Sequence, residues 1–330
     1  MKKILVVVIL FILNINVFSQ SKVGTTAANF LLVGVSARTV ALGEASVASG
    51  VDASGMYYNP AIICFIPSNQ IVLNHVQWFA GIKFDYGTSV INLGNIGNVG
   101  CFFNSMNSGQ IEITTEERPN GIGAKYTVSD IVFGLTYGRS LTDRFNIGAT
   151  FKYIKSTIMN TSASAIASDV GLTFHTPYDP LSIGFSITNI GTEMRMDGPD
   201  LAGRWDPDPR VNGNNDAIVV YQYTKSWDLP VTLRFGTNFV VFKSLSNKVY
   251  LLADAVFPNS NYNYVNIGAE YILMDKYYLR VGMRQLFLTD AEGRINFGAG
   301  LHLKKFFFDY AYSDRGFLDY VQYFTFGINF

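Results

Sequence analysis

Long apolar runs are missing from this chain of 330 residues, apart from one at its very start. A helix needs about 20 consecutive apolar residues to cross a bilayer, so a helical membrane protein is excluded. Charge is scarce as well: Lys, Arg, Asp and Glu make up 15% of the residues, against roughly 25% in ordinary soluble domains. Lys plus Arg equal Asp plus Glu at 25 each, so no net charge points to nucleic acid as a partner. Two cysteines, Cys64 and Cys101, are too few for a disulfide framework and read as free, buried thiols. Three histidines, His75, His175 and His302, fall on separate predicted strands with no Ser or Cys partner at a telling spacing. They read as lumen or girdle residues rather than as a catalytic set. No helix follows Gly94, Gly97 and Gly100 to aim at a phosphate, so no nucleotide site is expected. Neither an enzyme activity nor a cofactor is indicated.

What is present is apolar and aromatic. Lys2 and Lys3 precede the run Ile4 to Leu13, and small and polar residues follow up to Ser19 and Gln20. This is the form of a secretory signal peptide, expected to span 1–20 and to be removed on export. Hydrophobic residues reach 48%, aromatic residues 15%, and mean hydropathy is +0.18. An exported chain this apolar, without a spanning helix, fits a β-barrel whose apolar residues meet lipid at alternate positions.

The last ten residues carry the pattern most clearly. Phe324, Phe326, Ile328 and Phe330 share one parity, and Tyr323, Thr325, Gly327 and Asn329 share the other. A strand puts these sets on opposite faces, and a barrel needs such a last strand to close onto its first. Similar segments recur near 69–77, 81–92, 96–107, 129–139, 143–156, 166–175, 181–189, 230–242, 247–257, 262–272, 276–287, 293–303, 305–313 and 318–330. Fourteen antiparallel strands are therefore expected, forming an all-β transmembrane barrel over 69–330.

Loops and charges test this count. With the N-terminus in the periplasm, connections near 108–128, 157–165 and 190–229 are long and extracellular. Those near 93–95, 140–142, 176–180, 243–246, 273–275 and 304 are short and periplasmic, as in outer-membrane barrels. Lys152, Asp169, Arg234, Asp254, Glu270, Arg280, Arg284 and Asp309 sit opposite the large apolar residues of their strands. Lys or Arg on a lipid face costs roughly 2–4 kcal/mol at mid-depth, so these charges face a lumen and are expected to pair there. Cys101, on the parity of Val99 and Phe103, points to lipid.

Residues 21–68 have a different texture, with helical spacing of small residues over Ala41–Ala48 and an Asn59-Pro60-Ala61 turn leading into the first strand. Small residues let backbone pack closely, as a segment inside a barrel lumen must. The pattern Phe30-Leu31-Leu32, Ala37-Arg38, Leu42-Gly43-Glu44-Ala45, Ala48, Asp52 and Asn59-Pro60-Ala61 resembles the N-terminal signature of the PorV/PorQ family. That resemblance implies a fourteen-stranded outer-membrane barrel related to FadL-type channels, with 21–68 as an N-terminal hatch. Its motif residues here are Ala37, Arg38, Gly43, Glu44, Asn59, Pro60 and Ala61. Where the pattern has Pro-Asp before Ala-Arg, this chain has Val35-Ser36. The resemblance further implies a role in type IX secretion in the outer membrane of a Gram-negative bacterium. Its partners would be secreted cargo proteins or components of the secretion channel.

The loop 190–229 is the richest candidate contact surface, through Arg204, Trp205, Asp206, Asp208 and Arg210. Its Asp and Asn oxygens lack the spacing and terminal Glu of a calcium loop, so a solvated loop is the preferred reading. Two functions compete. One is a non-enzymatic secretion component binding cargo or channel, and the other is a FadL-like channel for hydrophobic small molecules. Inward charges at Asp254, Glu270, Arg280 and Arg284 weigh against a greasy conduit.

Overall fold

A computed structural model describes residues 23–207, 217–288, 291 and 293–330 of the chain. The signal stretch 1–20 and the loop residues Asp208 and Arg210 lie outside the described residues. Three strands come first: β1 (Gln70–Gln77), β2 (Lys83–Asn92) and β3 (Asn98–Asn107). A small hairpin of β4 (Ile111–Glu112) and β5 (Lys125–Tyr126) interrupts the next connection. Four long strands follow, β6 (Val128–Thr142), β7 (Phe145–Ile158), β8 (Thr161–His175) and β9 (Leu181–Gly191). A second hairpin pairs β10 (Ala202–Trp205) with β11 (Ile218–Tyr221). The last group is β12 (Thr232–Lys243), β13 (Asn247–Pro258), β14 (Tyr264–Leu273) and β15 (Tyr277–Leu286). It ends with β16 (Ile295–His302), β17 (Phe306–Asp314) and β18 (Tyr320–Asn329).

Leaving out the two hairpins, these strands form one closed antiparallel barrel in chain order, with β1 hydrogen-bonded to β18. This is the fourteen-strand architecture expected from the alternation. The physical cause shows in β17. Phe307, Asp309, Ala311 and Ser313 are buried on its inner face, while Phe306, Phe308 and Tyr312 are exposed on its outer face. Closure satisfies every ladder and leaves no open edge in lipid, where an unpaired backbone group costs several kcal/mol.

Two local expectations need correction. The connection placed at 157–165 is a two-residue turn, because β7 runs to Ile158 and β8 begins at Thr161. Ala163 and Ala165, placed in that connection, are buried inner-face positions of β8. The segment 190–229 is not structureless, since β10 and β11 lie within it. Among the described residues, the connections after β3 and β9 are the longest, and both lie at the same end of the barrel.

The seam between β1 and β18 runs from Gln70 opposite Asn329 to Gln77 opposite Gln322. Phe330 extends it by donating its backbone N–H to the Asn69 carbonyl at 2.9 Å, and its ring is exposed outward. Replacing Phe330 with Asp removes about 1.5–3 kcal/mol of apolar transfer and places charge at the lipid boundary. The expected result is a lower yield of the heat-modifiable, assembled species on gels with unchanged export across the inner membrane. Wild-type assembly of Phe330→Asp would contradict this account of the seam.

Candidate functional site

The segment before β1 lies against the inner wall, and its path follows from its small residues. One helical turn, α1 (Ala37–Ala41), packs against β15, β16, β17 and β18. It stops where Gly43 takes φ +67°: Gly43 N–H donates to the Val40 carbonyl and Glu44 N–H to the Thr39 carbonyl, both at 2.9 Å. This is a Schellman closure, and it ends the helix inside the stretch 41–48 that was expected to continue it. The turn presses on the wall so closely that a Cβ at Gly268 would lie 2.5 Å from the Leu42 carbonyl oxygen. Glycine on the facing strands is therefore a condition of the packing.

The hatch-motif residues are brought to two separate places. At the first, Arg38 grips Glu270 of β14 with both Nε and Nη2, at 3.1 and 3.2 Å, and also reaches Ser49 Oγ. Glu270 is shared with Arg280 of β15 at 2.7 Å, Arg280 reaches Asp309 of β17 at 2.5 Å, and Asp309 meets His302 at 3.1 Å. Ala37 N–H donates to Thr325 Oγ1 of β18. Gly43 makes the turn, and Glu44 approaches Arg315 at 4.0 Å. At the second place, Asn59 caps a 3-10 helix over Pro60–Phe65, accepting from Ala61 N–H while its amide donates to the carbonyls of Val47 and Leu172. Asn59-Pro60-Ala61 thus starts a helix instead of turning straight into β1. Pro at the first helical position needs no N–H partner, so Asn-Pro is an N-terminal cap signature as much as a turn signature.

Elsewhere the lumen charges are paired as expected at Lys152 and Asp169, 2.7 Å apart. Asp254 instead accepts backbone N–H groups from Ser46 and Val47, Arg234 lies over the Tyr58 ring, and Arg284 donates to the Gly293 carbonyl. Inner residues of the seam also hold the segment: Gln70 accepts from Ala53 N–H, and Asn74 donates to Ser54 Oγ. Burial holds the phenols of Tyr57 and Tyr58 well above their usual range. Tyr57 accordingly donates to the Leu31 carbonyl, and Tyr58 Oη accepts from Val35 N–H. Cys64 and Cys101 are both free, and burial pushes the Cys64 thiol up to about 11.

Beside this packed segment, at the end of the barrel that carries the connections after β3 and β9, opens a mostly apolar cavity of about 600 Å³. Phe30 and Val33 form its floor, and Trp78, Phe84 and Met106 one wall. Met194, Met196 and Trp227 from the connection after β9 form its cover. That cover is held by reciprocal Met194–Trp227 backbone bonds of 2.9 Å and by Ala27 N–H donating to the Asp228 carbonyl. Lys225 lies 4.7 Å over the Trp227 ring and, with Asp130, gives the rim its charge. Arg204 and Trp205 stand exposed on β10, and neither they nor Asp206 line the cavity. Nor do the histidines converge, for His75 pairs with Asp85, His175 with Ser182 and His302 with Asp309. Sequence reading missed the cavity because seven separate stretches build it. The alternation Met194-Arg195-Met196 and the aromatic pair Trp78-Phe79 were its only local signals.

No curated protein matches the sequence. Among solved structures, the toluene transporter TbuX of Ralstonia pickettii aligns with TM-score 0.60 at 12% identity, over 91% of this chain and 100% of that one. The toluene transporter TodX of Pseudomonas putida aligns with TM-score 0.56 at 14% identity, over 89% of this chain and 96% of that one. At these identities the likeness is one of fold. The family described as type IX secretion system protein PorV matches residues 16–254. With its closed, lipid-compatible barrel, this chain is an outer-membrane protein and belongs to the PorV family of the type IX secretion system.

Proposed function

We propose that this protein serves type IX secretion without enzymatic chemistry, as a closed barrel that receives an apolar segment of a secreted protein at its extracellular mouth. One observation carries the reading: the apolar cavity opens under the connection after β9, while the lumen below it is filled by the segment 30–66. An apolar cavity with a small charged rim suits a side chain or short strand carried on a protein. Residues 21–68 act as a plug, held by Arg38 to Glu270 at one wall and by Asn59 to Leu172 at another. A second reading, a channel for hydrophobic small molecules, is favoured by the same cavity and by the fold shared with the toluene transporters. The inward ion pairs oppose it, since a greasy ligand crossing the lumen would have to separate them.

Trp227→Asp places a charge in the cavity cover and leaves the barrel wall untouched. It is expected to abolish co-purification of secreted proteins while preserving heat-modifiable assembly, as is shortening the connection 192–231 to a Gly-Ser turn. If both variants still bring down the same proteins, recognition lies on the wall or the plug instead.

Conductance tests the plug. Removing residues 21–60 is expected to raise single-channel conductance in planar bilayers well above the near-zero value of the full mature chain. Arg38→Met is expected to give intermittent openings, because breaking a buried ion pair costs about 3–5 kcal/mol. Uptake of toluene into liposomes through the full-length protein would favour the channel reading.

A further inference from the structure

Among the described residues, the carboxylates that point inward from the barrel strands are engaged, with one exception. Glu270 and Asp309 are held by Arg280, Asp169 by Lys152, and Asp254 by the backbone N–H groups of Ser46 and Val47. Asp130 of β6 is the exception. It shares the inward parity of the buried Val132, lines the apolar cavity and forms no ion pair among the described residues. Lys225, the cation of the same lining, stands over the Trp227 ring of the cover.

Strand register fixes what surrounds this carboxylate. Phe84 of β2 is opposite Met106 of β3, Met106 is opposite Asp130, and Asp130 is opposite Ser156 of β7. These side chains form one row across the wall, and all of them line the cavity. At about 4.8 Å per strand, Met106 lies roughly 5 Å and Phe84 roughly 10 Å from Asp130. Trp78 meets Phe84 edge to face, with ring centroids 5.6 Å apart, and extends the apolar end of the row. A wholly apolar occupant would strip water from Asp130 and leave a carboxylate buried without a partner. An occupant with an ammonium or guanidinium group replaces that water with charge-assisted hydrogen bonds, while its aliphatic stem packs on Met106.

We propose that Asp130 selects what enters the cavity: a segment of a secreted protein that sets a lysine or arginine side chain on this carboxylate and an apolar residue, one or two positions away, on Met106, Phe84 and Trp78. This rests on the cavity reading given above and narrows its occupant from any apolar segment to one that is both basic and apolar. A neutral hydrocarbon brings no cation and leaves Asp130 unpaired.

The test replaces Met106 with the photocrosslinker p-benzoylphenylalanine in the full-length protein in intact outer membranes and maps the adducts by mass spectrometry. The expected adduct is a peptide of a secreted protein with Lys or Arg within about three residues of the crosslinked position. Its yield is expected to fall about tenfold in Asp130→Asn and in Asp130→Leu and to persist in Asp130→Glu. Asp130→Lys is expected to lose the adduct and to regain it with a secreted protein whose mapped Lys or Arg is changed to Glu. Heat-modifiable assembly checks that each variant folds, and Asn keeps the shape of the Asp130 side chain. Absence of secreted proteins among the adducts would overturn the cavity reading and this selection with it. Adducts to secreted proteins that have no Lys or Arg nearby, or whose yield is indifferent to Asp130→Asn, would overturn the selection by Asp130 alone.

Discussion

In hydrocarbon no water is present to bond an orphan peptide group, and the rest of this structure depends on that constraint. Closure of β1 onto β18 is its direct expression. Once the sheet is a cylinder, every strand must show lipid on one side and the lumen on the other. Residues such as Phe308 and Asp309 are thereby assigned opposite environments by their order alone. The scarcity of charge in the chain follows too, since half of each strand is denied it.

A cylinder of this circumference encloses more space than its own inward side chains can fill. The chain fills it with the backbone of its N-terminal segment, whose small residues allow an approach that bulkier ones would prevent. Polar groups on the inner wall then need partners within the protein. Glu270 illustrates the solution, lying between Arg38 of the segment and Arg280 of the neighbouring strand. A buried carboxylate with one cation would be an expensive choice; with two guanidinium groups and further bonds, its desolvation is offset.

Much of this was legible in the residues. Period-two alternation revealed the strands because lipid punishes the wrong parity, and Asp309 or Lys152 could be placed inside on that ground. Composition misled where an inner face is lined by alanine: Ala163 and Ala165 looked like loop material. The hairpin of Arg204 and Trp205 was hidden among turn-forming residues. Asn59 was read as a turn because its capping bond and its reach to Leu172 are tertiary facts. The cavity was beyond a linear reading, since Phe30, Phe84, Met194 and Trp227 meet only after closure.

The inner face of the seam deserves to be considered in time as well as in space. Thr325 of the last strand accepts from Ala37 and donates to Asn74 of the first strand, while Gln70 bonds both Ala53 and Asn329. Ala37 and Thr325 are 288 positions apart, so this contact carries one of the largest loop-closure entropies the chain can incur. A sheet zipped shut around an empty interior would keep the bonds of Thr325 to Asn74 and of Gln70 to Asn329 but lack those to Ala37 and Ala53. The N-terminal segment thus fastens the seam from within, tying the last strand at Thr325 and the first at Gln70 to the plug that fills the lumen.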